Sequence, residues 1–361
     1  MAELELCPEC GVPRIVTTEH AWLNNGDIIQ NRNQENRVSF FESDNLDPLF
    51  TGISSIIGRS IEPIIIEAVR RTMRAYLRSF VPDEVRERVL NGEINIQEMD
   101  KGFMALAKPM GYGRYEVVET RFEGDGDDYH TVSMTEPFSL PICAASHCAA
   151  IEAILGYDHA VSYTQVGPHT WNIVAYPYPQ PRAFKGRLIT TPYEHVDGDF
   201  ELLECPSCGG PKALSVCKWH LDRGVIMNEP LKRRMATIGP TELDPIFAEL
   251  EEELGDMIPQ VVVEAQRRFT RTGFYSMDDV HDVGDFRIQL AMRGLGNLRE
   301  LKIGRRGLHM LVENAALPWI IVGMMQGIFE MAFGLDTDLD WEVSRGNLRM
   351  ELIPRTMAIA T

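Results

Sequence analysis

One cysteine pattern, met twice, constrains this chain more than any other feature. Cys7-Pro8-Glu9-Cys10-Gly11-Val12-Pro13-Arg14 returns as Cys205-Pro206-Ser207-Cys208-Gly209-Gly210-Pro211-Lys212, at an offset of 198. At an offset of 197, Leu46-Asp47-Pro48-Leu49-Phe50 returns as Leu243-Asp244-Pro245-Ile246-Phe247. That register holds through Gly58 and Gly255, Glu67-Ala68 and Glu264-Ala265, and Arg70-Arg71 and Arg267-Arg268. One residue of slippage is a loop insertion or deletion. The chain reads as a tandem duplication of a single mixed unit.

Each half then reads in the same order. A polar hairpin follows each cysteine pair, with Trp22-Leu23-Asn24-Asn25-Gly26-Asp27-Ile28 set against His220-Leu221-Asp222-Arg223-Gly224-Val225-Ile226, which places Trp22 opposite His220 and Glu19 opposite Cys217. The Asn-Gly and Arg-Gly steps supply a positive-φ turn. A long helical pattern comes next. In the second half, Glu249, Glu251, Glu252 and Glu253 precede Arg267, Arg268 and Arg271, the charge order that a helix dipole favours. Ile246, Phe247, Leu250, Leu254 and Met257 recur at helical spacing, and Gly58 and Gly255 are expected to break the pattern in two.

After a shorter helix and a glycine turn, Gly111-x-Gly113 or Gly294-x-Gly296, strands are expected at 114–122 and 129–135, and at 298–303 and 307–313. Nearly uncharged helices at 141–155 and 318–333 lead to closing strand pairs at 160–165 with 170–176, and at 340–344 with 347–353. The fold class is α+β, in two pseudo-symmetric copies. The implied organisation is a cysteine hairpin at 1–45, a first domain at 46–180, a linker at 181–204, a second hairpin at 205–242 and a second domain at 243–361. Pro177, Pro179 and Pro181 stiffen the approach to the linker.

Cys-Pro-x-Cys-Gly is the pattern of a zinc knuckle, in which a tight turn aims two thiolates at one ion. One pair is half of a site, and two completions can be written. In the local one, Cys205, Cys208, Cys217 and His220 form a single set; in the shared one, Cys7, Cys10, Cys205 and Cys208 meet across the two halves. The shared set uses what both halves possess and is the reading adopted, with Cys217 and His220 as alternative ligands. Four protein ligands leave no open position, so the zinc would be structural.

Composition removes several function classes. A formal net charge of -18, with 35 basic against 53 acidic residues, disfavours nucleic acid and anionic membranes as partners, and the short basic clusters are too small for phosphate binding. The N-terminal residues lack the basic start and apolar stretch of a signal peptide, and no window approaches a membrane span, so a cytoplasmic location is expected. No phosphate loop, Gly-x-Ser-x-Gly or His-Glu-x-x-His occurs. Gly111-x-Gly113 lacks the third glycine of a dinucleotide fingerprint and reads as a turn where the backbone passes close to something. Cys143, His147 and Cys148 share the first apolar helix, where Ile320, Met324 and Met325 occupy approximately matching places in the second half.

The order of elements resembles the 4-vinyl reductase-like domain, also called the hydrocarbon-binding domain. The likeness is carried by the long helix ending Glu-Ala-x-Arg-Arg, the Gly111-Tyr112-Gly113 turn, Glu136-Pro137-Phe138 and Ala153-Ile154-Leu155-Gly156. In the second half it is carried by Gly294-Leu295-Gly296-Asn297, Glu313-Asn314-Ala315 and the run from Gly323 to Glu330. It covers about two-thirds of the chain. The resemblance implies a small-molecule-binding fold with an apolar cavity between helices and sheet, acting as a sensor or accessory unit. Some relatives carry a zinc site made of a Glu and several Cys near the start of the apolar helix. Glu136, Cys143 and Cys148 are the nearest candidates here, but their spacing does not match and that site is not transferred.

The expected function is therefore a zinc-stabilised protein that binds an apolar or aromatic small molecule. Phe103, Tyr112, Phe138, Cys143, His147, Trp319 and Met324 are the candidate ligand-contacting residues, since Met and aromatic linings suit apolar ligands of loose shape. An enzyme or enzyme subunit acting on a hydrophobic substrate and a protein-interaction scaffold are the competing classes. No catalytic residue can be named from the sequence.

Overall fold

The computed structural model describes residues 5–179, 195–280 and 282–355. Most of the expected linker, 181–194, lies outside the described residues. The chain opens with α1 (Arg14–Glu19), β1 (His20–Trp22), β2 (Ile28–Gln30), β3 (Arg37–Val38) and β4 (Phe40–Glu42). The helices α2 (Leu46–Ile57), α3 (Glu62–Arg78), α4 (Asp83–Leu90) and α5 (Ile96–Ala107) follow. Then come β5 (Arg114–Arg121), β6 (Tyr129–Thr135), α6 (Leu140–Leu155), β7 (His159–Gly167) and β8 (Thr170–Pro177).

The second run consists of β9 (Cys217–His220), β10 (Val225–Asn228), β11 (Arg233–Thr237), α7 (Pro240–Leu254), α8 (Ile258–Phe269) and α9 (Val283–Met292). It closes with β12 (Asn297–Gly304), β13 (Gly307–Glu313), α10 (Pro318–Phe333), β14 (Thr337–Ser344) and β15 (Asn347–Pro354). Helices and antiparallel sheets are mixed along the chain, an α+β architecture.

Two four-stranded antiparallel sheets carry the fold, in the orders β5-β6-β8-β7 and β12-β13-β15-β14. The helix α6 lies on the first sheet with α3 against it, and α10 lies on the second with α8 against it. In the middle, α2 packs on α8 and α3 on α7, so one apolar core runs from Met134 and Ile173 of the first sheet to Met310 and Met350 of the second. The long helical patterns break at Gly58 and Gly255, which cap α2 and α7. Two helices, α4 and α5, fill the interval where a single shorter helix was expected.

The hairpins do not stay with the sheets that follow them. The strand β4 pairs with β11, Phe41 opposite Ala236, and completes a sheet of order β4-β11-β10-β9. The backbone N–H of Gly113 donates to Gly224 O (2.8 Å) and that of Gly296 to Gly26 O (3.2 Å). Each hairpin thus sits on the glycine turn of the other run. This explains the recurring glycines: a Cβ on Gly111 would stand 2.6 Å from Met235 O and one on Gly294 2.7 Å from Val38 O, and both residues have positive φ.

The same contacts correct the hairpin alignment. Trp22 pairs with Ile28 and Trp219 with Ile226. The indole N–H of Trp22 donates to Met292 O (2.8 Å) and that of Trp219 to Pro109 O (3.0 Å). Trp22 therefore stands opposite Trp219, not His220. An indole N–H drawn out of water needs a partner, and the matching N–H partners, rather than the ungapped match of the flanking residues, set the alignment.

Paired arginine clamps close the two large helices. Arg70 donates to both Glu152 carboxylate oxygens (2.7 and 2.8 Å) while gripping Glu67. Arg267 reaches Glu330 (2.6 Å) and Glu264 (2.8 Å). The Glu-Ala-x-Arg-Arg motif is thus a device for holding a buried glutamate at the end of the apolar helix. Among the described residues, no helix is long and apolar enough to cross a membrane.

Candidate functional site

Two groups of metal-ligating side chains converge, and the sequence pointed to one of them. At the first, Cys7, Cys10, Cys205 and Cys208 bring their Sγ atoms within 4.8 Å of one another. Each knuckle is a one-turn loop: Gly11 N–H donates to Cys7 O and Gly209 N–H to Cys205 O (2.9 and 2.8 Å). Bridges between Leu6 and Pro13, and between Glu204 and Pro211, close the bases. The Sγ atoms of Cys7 and Cys205 lie 3.7 Å apart, those of Cys10 and Cys208 3.6 Å. Tetrahedral bonds of about 2.3 Å to one ion set sulfurs about 3.8 Å apart, whereas a disulfide needs about 2.05 Å. The four cysteines form a cluster that can hold a metal.

The thiols there are held unevenly. The backbone N–H of Cys10 pulls the Cys7 thiol down to about 6, while burial pushes the Cys10 and Cys208 thiols up. A divalent cation favours the thiolate form at all four. Cys217 lies outside the cluster: it is buried in β9, with burial pushing its thiol up to about 12. His220, at the end of β9, pairs with Val225.

The second group borders a cavity of about 190 Å³ between the first hairpin, α3, α5 and α6. Its walls include Met73, Tyr76, Phe80, Phe103, Met104, Tyr112 and Ala150. The cavity opens where α6 carries small or polar residues. Taking the clamped glutamates Glu152 and Glu330 as equivalent points, Ser146, His147 and Ala150 of α6 stand where α10 carries Met324, Met325 and Ile328, all buried. Large side chains fill that space on the second sheet.

Polar groups punctuate the apolar lining. The Tyr112 hydroxyl donates to Thr237 O (2.8 Å), and burial raises its pKa well above the usual phenol value. Val16 O accepts from Nδ1 of His20 (2.9 Å), and burial lowers the His20 pKa. Burial pushes the Glu242 carboxyl up to about 7 while it caps the start of α7 at Gly239 N–H (3.0 Å). Asp100, His130 and His147 bring one ligand atom each within 4.8 Å of the others, and Asp100 and His147 face the cavity. Burial pushes Asp100 up to about 7, His130 down to about 4 and His147 down to about 3, the shifts that desolvation of a charged form dictates.

Of the residues singled out from the sequence, Phe103, Tyr112 and His147 line the cavity together. Phe138 stands behind it, its ring 4.6 Å from that of Tyr112, and Cys143 hydrogen-bonds Tyr112 O (3.7 Å) with burial pushing its thiol up to about 11. Trp319 packs on Phe247 and Met324 is buried in the core of the second sheet, away from the cavity lining. Glu136 is engaged by Arg223 (2.7 Å) and forms no ligand group with Cys143 and Cys148.

Asp100 and His130 were not singled out, although both left a trace. Asp100 sits one turn before Phe103 and Met104 on the inward stripe of an amphipathic helix, and His130 alternates with Val132 and Met134 on the inward face of a strand. A polar residue on an inward stripe is the signal that could have found them.

Neither protein-family models nor curated proteins return a match to this chain. Among solved structures, a mutant of the T. tengcongensis H-NOX is similar at 16% identity and a TM-score of 0.23, over 34% of this chain and 77% of that one. The Cs H-NOX carrying 4-cyano-L-phenylalanine is similar at 15% identity and a TM-score of 0.25, over 36% of this chain and 80% of that one. Likeness at that level sets no chemistry for this chain.

Proposed function

We propose that the chain is a duplicated binding protein whose two pseudo-symmetric α+β halves are of the 4-vinyl reductase-like kind. The first half takes up an apolar or aromatic small molecule, and a zinc ion shared by the two knuckles clamps the halves together. The observation that carries the reading is the cavity itself, walled by Met73, Tyr76, Phe103 and Met104 with a few polar groups among them, the composition of a small-molecule site. The thiolate spacing supports zinc, and four thiolates make that ion structural.

In this reading the protein is a sensor or an accessory subunit, and the cavity is asymmetric because only the first copy kept small residues on its apolar helix. Native mass spectrometry of the protein from its own source tests it. A retained apolar small molecule is the expected result. A tightly held redox cofactor would favour an enzyme subunit instead, and a stoichiometric protein partner with no small molecule would favour a scaffold.

A further inference from the structure

We infer that Asp100, His130 and His147 form a second metal site, for a divalent first-row transition ion, set in the wall of the cavity. The three residues come from α5, β6 and α6, so their meeting is a product of the tertiary fold and not of local spacing. All are buried, at 2%, 2% and 4% exposure. Oδ2 of Asp100 and Nε2 of His130 lie 3.5 Å apart, a separation that one ion about 2.1 Å from each would span, and His147 brings a ring nitrogen into the same group within 4.8 Å.

A simple histidine pair does not account for the arrangement. One hydrogen bond between the rings would satisfy His147, yet Asp100 Oδ2 and His130 Nε2 are buried with no hydrogen-bond partner, at 3.5 Å from each other. Buried polar atoms without partners are rare, and a bound water or ion is a standard reason for them. The fold itself does not demand polar groups here. In the second sheet the place of His130 on β6, opposite Ala175, is held by Leu308 on β13, opposite Leu352, and the place of His147 is held by Met325.

The donor set names the class of ion. Two neutral imidazoles and one carboxylate suit Zn²⁺ or Fe²⁺, and three protein ligands leave a coordination position open. Since the ligand atoms lie within 4.8 Å of one another, metal binding would draw the three side chains closer together. Asp100 and His147 both face the cavity, so the open position lies toward it. Resting on the binding reading above, this specifies the ligand class further: an apolar or aromatic body bearing one oxygen or nitrogen donor.

The test counts metals on the full chain. Protein stripped of metal under reducing conditions is reloaded with Zn²⁺, or with Fe²⁺ under anaerobic conditions, and weighed by native mass spectrometry. The wild type is expected to hold two ions per chain, and His147→Met, Asp100→Asn and Cys7→Ser/Cys10→Ser to hold one each. Cobalt loaded into the Cys7→Ser/Cys10→Ser protein should absorb without the thiolate charge-transfer band. A wild type that holds one ion, lost with Cys7→Ser/Cys10→Ser and kept in Asp100→Asn, overturns the second site. A retained organic molecule is read from the same spectra, so failure of the metal site and failure of small-molecule binding are told apart.

Discussion

At the scale of single residues, the buried charges are held by geometry that tolerates little change. Arg70 and Glu152 are nearly inaccessible, at 4% and 0% side-chain exposure, and bind each other through two hydrogen bonds. Removing one partner strands the other charge in the core, a loss of about 3–5 kcal/mol. Glu152→Gln is therefore expected to lower the denaturant midpoint strongly, and Arg70→Leu/Glu152→Leu to cost less than the two single changes added together. Equal additive losses would mean that the two side chains do not act as a pair.

His20 gives a pH dependence with a definite sign. Burial lowers its pKa below 6.5 in the folded chain, so on acidification the unfolded chain takes up the proton first. Its contribution to stability is complete above pH 6.5 and is lost as the pH falls from there through the lower folded-state value. In His20→Gln the unfolding free energy should fall less over that window than in wild type, measured by urea titration at stepped pH.

At the scale of elements, α6 and α10 explain where the cavity lies. Both helices end at a clamped glutamate and both lie on four-stranded sheets, but Ser146, His147 and Ala150 leave the space that Met324, Met325 and Ile328 occupy. Giving α6 the residue of α10, as Ala150→Ile, is expected to cost no more than about 1–3 kcal/mol of stability and to abolish retention of the small molecule. Binding that survives this change would place the ligand elsewhere. The α10-like helix, the strand pairs and the helix breaks at Gly58 and Gly255 were legible in the sequence because each rests on local periodicity or a local turn. The seating of each hairpin on the other run was not, since strand exchange leaves no local mark beyond glycines too close to a neighbouring backbone. Asp100 and His130 each mark an inward stripe with a polar residue, but their meeting was not legible, because only the packing of α5, β6 and α6 makes them a group.

At the scale of the whole molecule, the two knuckles stand 198 residues apart in sequence and meet at one cluster. The hairpin that follows the first knuckle supplies His20, Gln30 and Val38 to the cavity, and the second run supplies Thr237 and Glu242. A shared ion would thus hold together pieces of the cavity wall that come from both runs of the chain. Because structural zinc contributes binding free energy to folding, its removal should loosen both sheets together rather than one.

Cobalt absorption of the reconstituted full-length chain tests this joint most directly. The expected result is a four-thiolate charge-transfer band in the wild type that disappears in Cys7→Ser/Cys10→Ser, disappears equally in Cys205→Ser/Cys208→Ser and persists in Cys217→Ser. A band that persists in Cys7→Ser/Cys10→Ser and vanishes in Cys217→Ser would contradict the shared site and place the ion within the second knuckle alone.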